Sequence, residues 1–102
     1  MGLMTLVMLY HTTVKPESIG RLDEIRKEFD AIYKRHGIEV VGYWKSVDSP
    51  NESYYMIRYV NEADYQHKVR ALHDDEKYVS LTAQLNSIRT NISSEKLIPP
   101  DN

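Results

Sequence analysis

The chain has 102 residues and a net charge of −2, from 13 Lys plus Arg against 15 Asp plus Glu. That is the length of one domain, 1–102, and the charge balance argues against the basic face that nucleic-acid binding needs. Cysteine is absent, which excludes disulfides, thiolate catalysis and thiolate metal sites.

No apolar run approaches the roughly 18 residues of a membrane helix. The opening Met1–Leu9 lacks the basic region of a signal peptide. The expected setting is the cytoplasm, away from membrane and nucleic acid. A chain this short hides only about 60–68% of its unfolded surface, so association would help it. Its aromatic residues are eight Tyr against one Phe and one Trp. Tyr carries a hydroxyl that needs a partner when buried, so this excess points to a half-polar cavity or an interface.

Residues 3–13 predict a strand. Leu3, Val7 and Leu9 fall on one face, and Met4, Leu6, Met8 and Tyr10 on the other. A strand apolar on both faces is covered on both. Residues 16–36 predict a helix. Pro16 suits its first position and Glu17 its positive end. Ile19, Leu22, Ile25, Phe29, Ile32 and His36 recur at three- and four-residue steps as an apolar stripe. Gly20 is costly inside a helix and suggests a close approach to the sheet. Gly37 supplies the left-handed stop.

Residues 38–47 predict the second strand, with Val41 and Tyr43 on one face and Val40, Gly42 and Trp44 on the other. Asp48-Ser49-Pro50-Asn51 is turn chemistry. Residues 53–60 predict the third strand, with Tyr55, Ile57 and Tyr59 opposite Tyr54, Met56 and Arg58. Asn61 caps a helix running to about His73, anchored by Val69 and Leu72. Asp74-Asp75 interrupts it and caps a further helix to about Arg89, anchored by Val79, Leu81, Leu85 and Ile88. Ile92–Ile98 predicts a final strand, followed by the unstructured tail Pro99-Pro100-Asp101-Asn102.

The order is βαββαβ, the ferredoxin-like class of α+β fold, with an antiparallel four-stranded sheet. Its helices cover one sheet face, yet the first strand is apolar on both. A second copy is the simplest cover, which predicts a dimeric α+β barrel.

Known chemical motifs are few. There is no His-Glu-x-x-His pair, and His67 and His73 are about 600° apart on a helix, so no metal site is expected. Nucleophile elbows and phosphate-binding glycine loops are missing. RNA-recognition domains share this fold order, but they stack bases on a basic, glycine-bearing third strand that this acidic chain lacks. What remains is a polar set on an apolar sheet. His11, at the end of the first strand, is the residue able to exchange protons near neutral pH. Arg58, on a half-buried strand face, needs an anion. Tyr10, Tyr43, Tyr55 and Tyr59 could wall a ligand. Alternation places Tyr10 and His11 on opposite faces, so only one of them can enter a given cavity.

From Gly37 to Asp101 the chain resembles the NIPSNAP-type domain of the dimeric α+β barrel superfamily. The resemblance is carried by His36-Gly37, Val40-Val41-Gly42-Tyr43-Trp44 and Tyr55-Met56-Ile57-Arg58-Tyr59. It continues in Asn61-Glu62-Ala63, Leu72-His73-Asp74-Asp75-Glu76-Lys77-Tyr78 and Glu95-Lys96-Leu97-Ile98-Pro99-Pro100. The opening strand and the helix from Lys15-Pro16-Glu17 to Leu22-Asp23-Glu24 also fit. The resemblance implies a ferredoxin-like subunit and a homodimer built through sheet faces. Related barrels include cofactor-independent monooxygenases, isomerases, dehydratases and haem-degrading enzymes. The last rely on an Asn, a Trp and a His in their cavity. Here the first strand has no Asn and the only Trp, Trp44, is on the second strand.

The expectation is therefore a homodimer that binds a small aromatic or acidic molecule without a bound cofactor. Its chemistry would be that of a cofactor-independent monooxygenase or an isomerase. His11 is the acid–base candidate, Arg58 the anion clamp, and Tyr10, Tyr43, Tyr55 and Tyr59 the walls. The alternative is a non-catalytic interaction module that uses its sheet face. An enzyme needs an open, partly polar cavity between the sheets, whereas a module would fill that space.

Overall fold

Pro16 opens a single 3-10 turn, Pro16–Ser18, that leads into helix α1, Ile19–Arg35. Leu22, Ile25, Phe29, Ile32 and Tyr33 form its buried stripe. Gly37 ends it with φ 68°, a left-handed conformation that costs glycine little. Strand β1, Leu6–Val14, precedes this helix, and β2, Glu39–Lys45, follows it. The turn leads to β3, Glu52–Tyr59. Helices α2, Glu62–His73, and α3, Glu76–Ile88, then lead to β4, Arg89–Leu97. The computed structural model describes residues 5–100, so the expectations at Leu3, Met4, Asp101 and Asn102 lie outside the described residues.

The sheet order is β2-β3-β1-β4, with every neighbouring pair antiparallel. This is the ferredoxin-like α+β arrangement, with its second helix split at Asp74-Asp75. Leu6 and Met8 of β1 pack with Ile57 and Tyr59 of β3 against Ile25, Phe29, Leu72 and Leu81 of the helices. All three helices therefore lie on one face of the sheet. The result is a slab of 48 × 32 × 18 Å. Its radius of gyration, 14.1 Å, exceeds the ~13 Å of a sphere-like domain of this length.

Several local expectations change. Val40 pairs with Ile57 and Gly42 with Met56, so Val41 is an extra residue in the ladder. This β-bulge breaks the alternation. Val40 packs on the core, whereas Gly42 and Trp44 stay on the uncovered face. In α3, Val79 is exposed and Tyr78 points inward instead, because the cap at Asp75 sets the helix phase. Strand β4 begins at Arg89, directly after α3. Gly20 meets nothing within 4 Å of a built Cβ, so it serves no close approach.

Asp75 joins the helical layer together. Its Oδ1 accepts from the backbone N–H of Lys77 at 2.9 Å and of Tyr78 at 3.4 Å, which caps α3. His36, just after α1, donates from Nε2 to Oδ2 at 2.8 Å, and Arg35 donates to the same oxygen. The His36 bond first, then Arg35 and the helix amides, hold this carboxyl well below the usual carboxylate range.

Two predictions concern this layer. Gly20→Ala should stabilise the protein by about 0.5–1 kcal/mol in urea titration, since the helical site is open and alanine loses less entropy. A carboxyl whose pKa falls on folding adds stability above its unfolded pKa of about 4 and loses it as the pH drops toward the folded value. Asp75→Asn should lower the urea midpoint at pH 7 and flatten the loss of stability below about pH 4. An acid limb identical to wild type would show that Asp75 does not carry it.

Candidate functional site

The strand register lines up three tyrosines across the sheet. Tyr10 of β1 lies opposite Tyr55 of β3, and Tyr55 lies opposite Tyr43 of β2. All three face the helices. Tyr43 meets Tyr55 edge to face at 5.5 Å, and Tyr33 of α1 meets Tyr55 at 5.7 Å. Helix α3 adds Tyr78, Thr82 and Leu85, and Arg89 follows at the start of β4. These rings and the floor residues Thr12 and Ser53 enclose a cavity of about 150 Å³ between the sheet and the helices. An apolar cavity of roughly that size takes one benzene molecule.

One edge of the cavity is a polar network. The Tyr55 hydroxyl donates to Asp30 Oδ1, and Arg26 Nη1 donates to Asp30 Oδ2 at 2.8 Å. The Arg26 guanidinium lies 4.9 Å from the centre of the Tyr43 ring. Among the described residues three buried side-chain polar atoms make no hydrogen bond: Arg26 Nε, the Tyr43 hydroxyl and Thr82 Oγ1. All three belong to residues of the cavity wall. Ser53 stands beside Tyr43 and Thr82 beside Tyr78, but neither contact has hydrogen-bond geometry.

Burial raises every tyrosine of the wall. Tyr10 is pushed up to about 12, by burial first and then by the neighbouring Tyr78 and Tyr65. Burial followed by the Asp30 bond raises Tyr55 further, and burial lifts Tyr33, Tyr43 and Tyr78. All five therefore keep their protons at neutral pH, and of these hydroxyls Tyr55 donates to Asp30. Arg89 is lowered by burial, though a guanidinium stays charged in a protein. No carboxylate lies at ion-pair distance from it among the described residues.

The six residues singled out from the sequence do not form one site. Tyr10, Tyr43 and Tyr55 line the cavity. Tyr59 is buried in the core at 2% exposure, edge to face with Tyr65, and is not part of the cavity wall. His11 and Arg58 occupy the opposite sheet face. His11 lies within β1 rather than at its end, stacks on Tyr54 at 4.4 Å and donates from Nε2 to Glu52 at 2.8 Å. Arg58 is exposed rather than half-buried, and it pairs with Glu39 of β2 at 2.9 Å. Its anion is thus a structural one. Sequence reasoning missed Arg26, Tyr33, Tyr78, Thr82 and Arg89. A signal was present, since Tyr78, Thr82, Leu85 and Arg89 fall on one face at helical spacing. Among the described residues no three His, Asp or Glu side chains converge as a metal site, and no helix is long and apolar enough to cross a membrane.

Fold and cavity define a class: a ferredoxin-like α+β domain with one bare sheet face and a tyrosine-walled cavity under its helices. Solved structures that share this fold include NIPSNAP family proteins and a monooxygenase-like protein. A NIPSNAP family protein from Agrobacterium tumefaciens superposes with a TM-score of 0.83 at 14% identity, over 99% of this chain and 90% of that one. An uncharacterised NIPSNAP domain protein from Burkholderia xenovorans gives 0.81 at 16% identity, over 92% and 93%. A protein from Bacteroides thetaiotaomicron, titled for a conjectured role as an antibiotic biosynthesis monooxygenase, gives 0.76 at 16% identity, over 94% and 90%. The likeness is one of fold. The sequence itself matches no protein-family model and no curated protein.

The unpartnered hydroxyl and the bonded one should respond differently to removal. Tyr43→Phe and Thr82→Val should be neutral or stabilising in urea titration, because each deletes a buried group that has no partner. Tyr55→Phe should cost about 1 kcal/mol, since it removes the hydroxyl that donates to Asp30 Oδ1 and leaves that oxygen without its donor. Equal losses in all three would show that the cavity hydroxyls are satisfied.

Proposed function

We propose that the protein binds a small molecule in the tyrosine-walled cavity and works as a homodimer joined through its bare sheet faces. The observation that carries the ligand reading is the set of three unpartnered polar atoms among the residues that line the cavity. Buried polar groups are nearly always hydrogen-bonded, and each failure costs about 1–3 kcal/mol. A bound molecule with polar substituents would satisfy them and fill the space between the rings.

The dimer reading rests on the other face. Val7, Leu9, Met56, Trp44 and Leu97 share it, as the strand register requires. Trp44 is 48% exposed, and its ring lies over Gly42, where any Cβ would sit 2.4 Å from it. A contiguous apolar face of this kind marks an interaction surface. Arg58 pairs with Glu39 and His11 hydrogen-bonds to Glu52 on this face, while Glu95, opposite Leu9, has no ion-pair partner among the described residues. Most of the polar side chains there are thus already matched within the subunit, which lowers the cost of covering the face. The outer edges of β2 and β4 are unpaired among the described residues, and edges of that kind close on partner strands in barrels.

Chemistry of the monooxygenase or isomerase type would use tyrosine hydroxyls to polarise the ligand or to donate protons. In this reading His11 and Arg58 belong to the dimer face. The Bacteroides protein supports oxygen chemistry only by likeness of fold, which does not transfer activity.

Native mass spectrometry should give a dimer, and Leu9→Glu should give a monomer with an unchanged far-ultraviolet spectrum. A wild-type monomer would overturn the barrel. Millimolar phenol or benzamide should raise the melting temperature, and the cavity-filling variant Thr82→Trp should abolish the shift. No shift with either compound would overturn the ligand reading.

A further inference from the structure

The cavity holds two arginines in different electrical states. Arg26 is matched by Asp30, with Nη1 at 2.8 Å from the carboxylate, so this pair is neutral overall. Arg89 has no carboxylate partner among the described residues. Tyr78 shares the cavity wall with it, and burial keeps that hydroxyl protonated. The cavity wall thus carries one unmatched positive charge.

Arg89 follows α3 as its C-cap, and its backbone N–H bonds to Leu85 O. The negative end of the helix dipole therefore offers its guanidinium partial compensation. A dipole end is about half a charge, however, and it presents carbonyls rather than a fork-matching carboxylate. A partly buried guanidinium beside a cavity is completed best by an anion inside that cavity. Sheet order puts Arg89 and the Arg26–Tyr43 pair at opposite ends of the site, beside the outer strands β4 and β2. A ligand that spans the cavity would meet a charged fork at one end and unpartnered donors at the other. The ring-walled volume of about 150 Å³ admits one six-membered ring with small substituents, and it excludes a porphyrin or a fused polycycle.

We infer that Arg89 is the anion-binding residue of the cavity and that the ligand is a single-ring aromatic monocarboxylate. This rests on the ligand reading above and adds to it a charge, a size and a residue. The carboxylate sits in the Arg89 fork beside the Tyr78 hydroxyl. A polar substituent on the far side of the ring takes hydrogen bonds from Tyr43 and Arg26 Nε.

Benzoate and benzamide separate the charge from the ring, since they share shape and differ in charge at pH 7. Calorimetric titration of the wild-type dimer should show benzoate binding at least tenfold tighter than benzamide. Arg89→Gln should erase that preference and leave benzamide affinity within about twofold. Arg89→Lys, which keeps the charge and loses the fork, should restore part of the preference. Equal affinities in wild type, or a preference that survives in Arg89→Gln, would overturn the role of Arg89 and leave the cavity reading standing. If neither compound binds wild type, the cavity reading fails and this inference fails with it. Should Arg89→Gln not fold, the wild-type comparison and Arg89→Lys still decide the question.

Discussion

The antiparallel pairing of β1 with β3, from Leu6 opposite Tyr59 to Thr13 opposite Glu52, assigns each central side chain to one of two environments. Even positions of β1 and odd positions of β3 meet the helices. The complementary set faces away. A slip of β3 by one residue against β1 would turn that strand over, sending Ile57 and Tyr59 outward and Arg58 into the core. Core, cavity and bare face are therefore three consequences of one register. The same pairing places Tyr10, Tyr55 and Tyr43 in a row, which is what walls the cavity.

The cavity has a physical cost that the fold tolerates. Protein interiors normally close to crystal-like density, and this one leaves room for a ring between tyrosines. Phenylalanine at the same positions would supply equal apolar area without a hydroxyl to satisfy. Tyrosine at 10, 33, 43, 55 and 78 instead surrounds the space with proton donors, and Arg26 and Arg89 stand at its ends. Asp75 and Asp30 hold the helical lid of this space. Asp75 ties the end of α1 to the start of α3, and Asp30 ties Arg26 of α1 to Tyr55 of β3. Both helices that cover the site are thereby anchored by charge-assisted bonds.

Much of the fold was legible because local signals were strong and agreed. Pro16, Gly37, Asn61 and the Asp48–Asn51 turn mark boundaries by their own stereochemistry, and they stand where the elements begin and end. The two apolar faces of β1 were visible as plain alternation. The excess of tyrosine over phenylalanine points to a half-polar cavity or an interface, and the cavity it was expected to wall lay between two sheets, whereas the tyrosine-lined one lies between sheet and helices. What escaped depends on contacts between elements. The bulge at Val41 shifts Val40 and Gly42 onto opposite faces, and no residue type announces it. Arg58 reads as an anion site from the sequence because Glu39, its partner across the ladder, lies 19 residues away along the chain. Arg89 escaped because the sequence places it at the end of a helix, with the last strand starting three residues later. Its alignment with Tyr78, Thr82 and Leu85 becomes meaningful only once α3 is known to roof the cavity.

The central claim is that a small aromatic molecule enters between helices and sheet rather than resting on the bare sheet face. Tyrosines report on both places, since Tyr10, Tyr33, Tyr43, Tyr55 and Tyr78 line the cavity and Tyr54 lies under His11 on the other face. Ring signals of carbon-13-labelled tyrosine, followed during titration with phenol, decide between them. The account predicts saturable shifts in the cavity tyrosines and a stationary Tyr54 signal. Saturable movement of Tyr54 with the cavity set unmoved would contradict it and place the ligand on the sheet face.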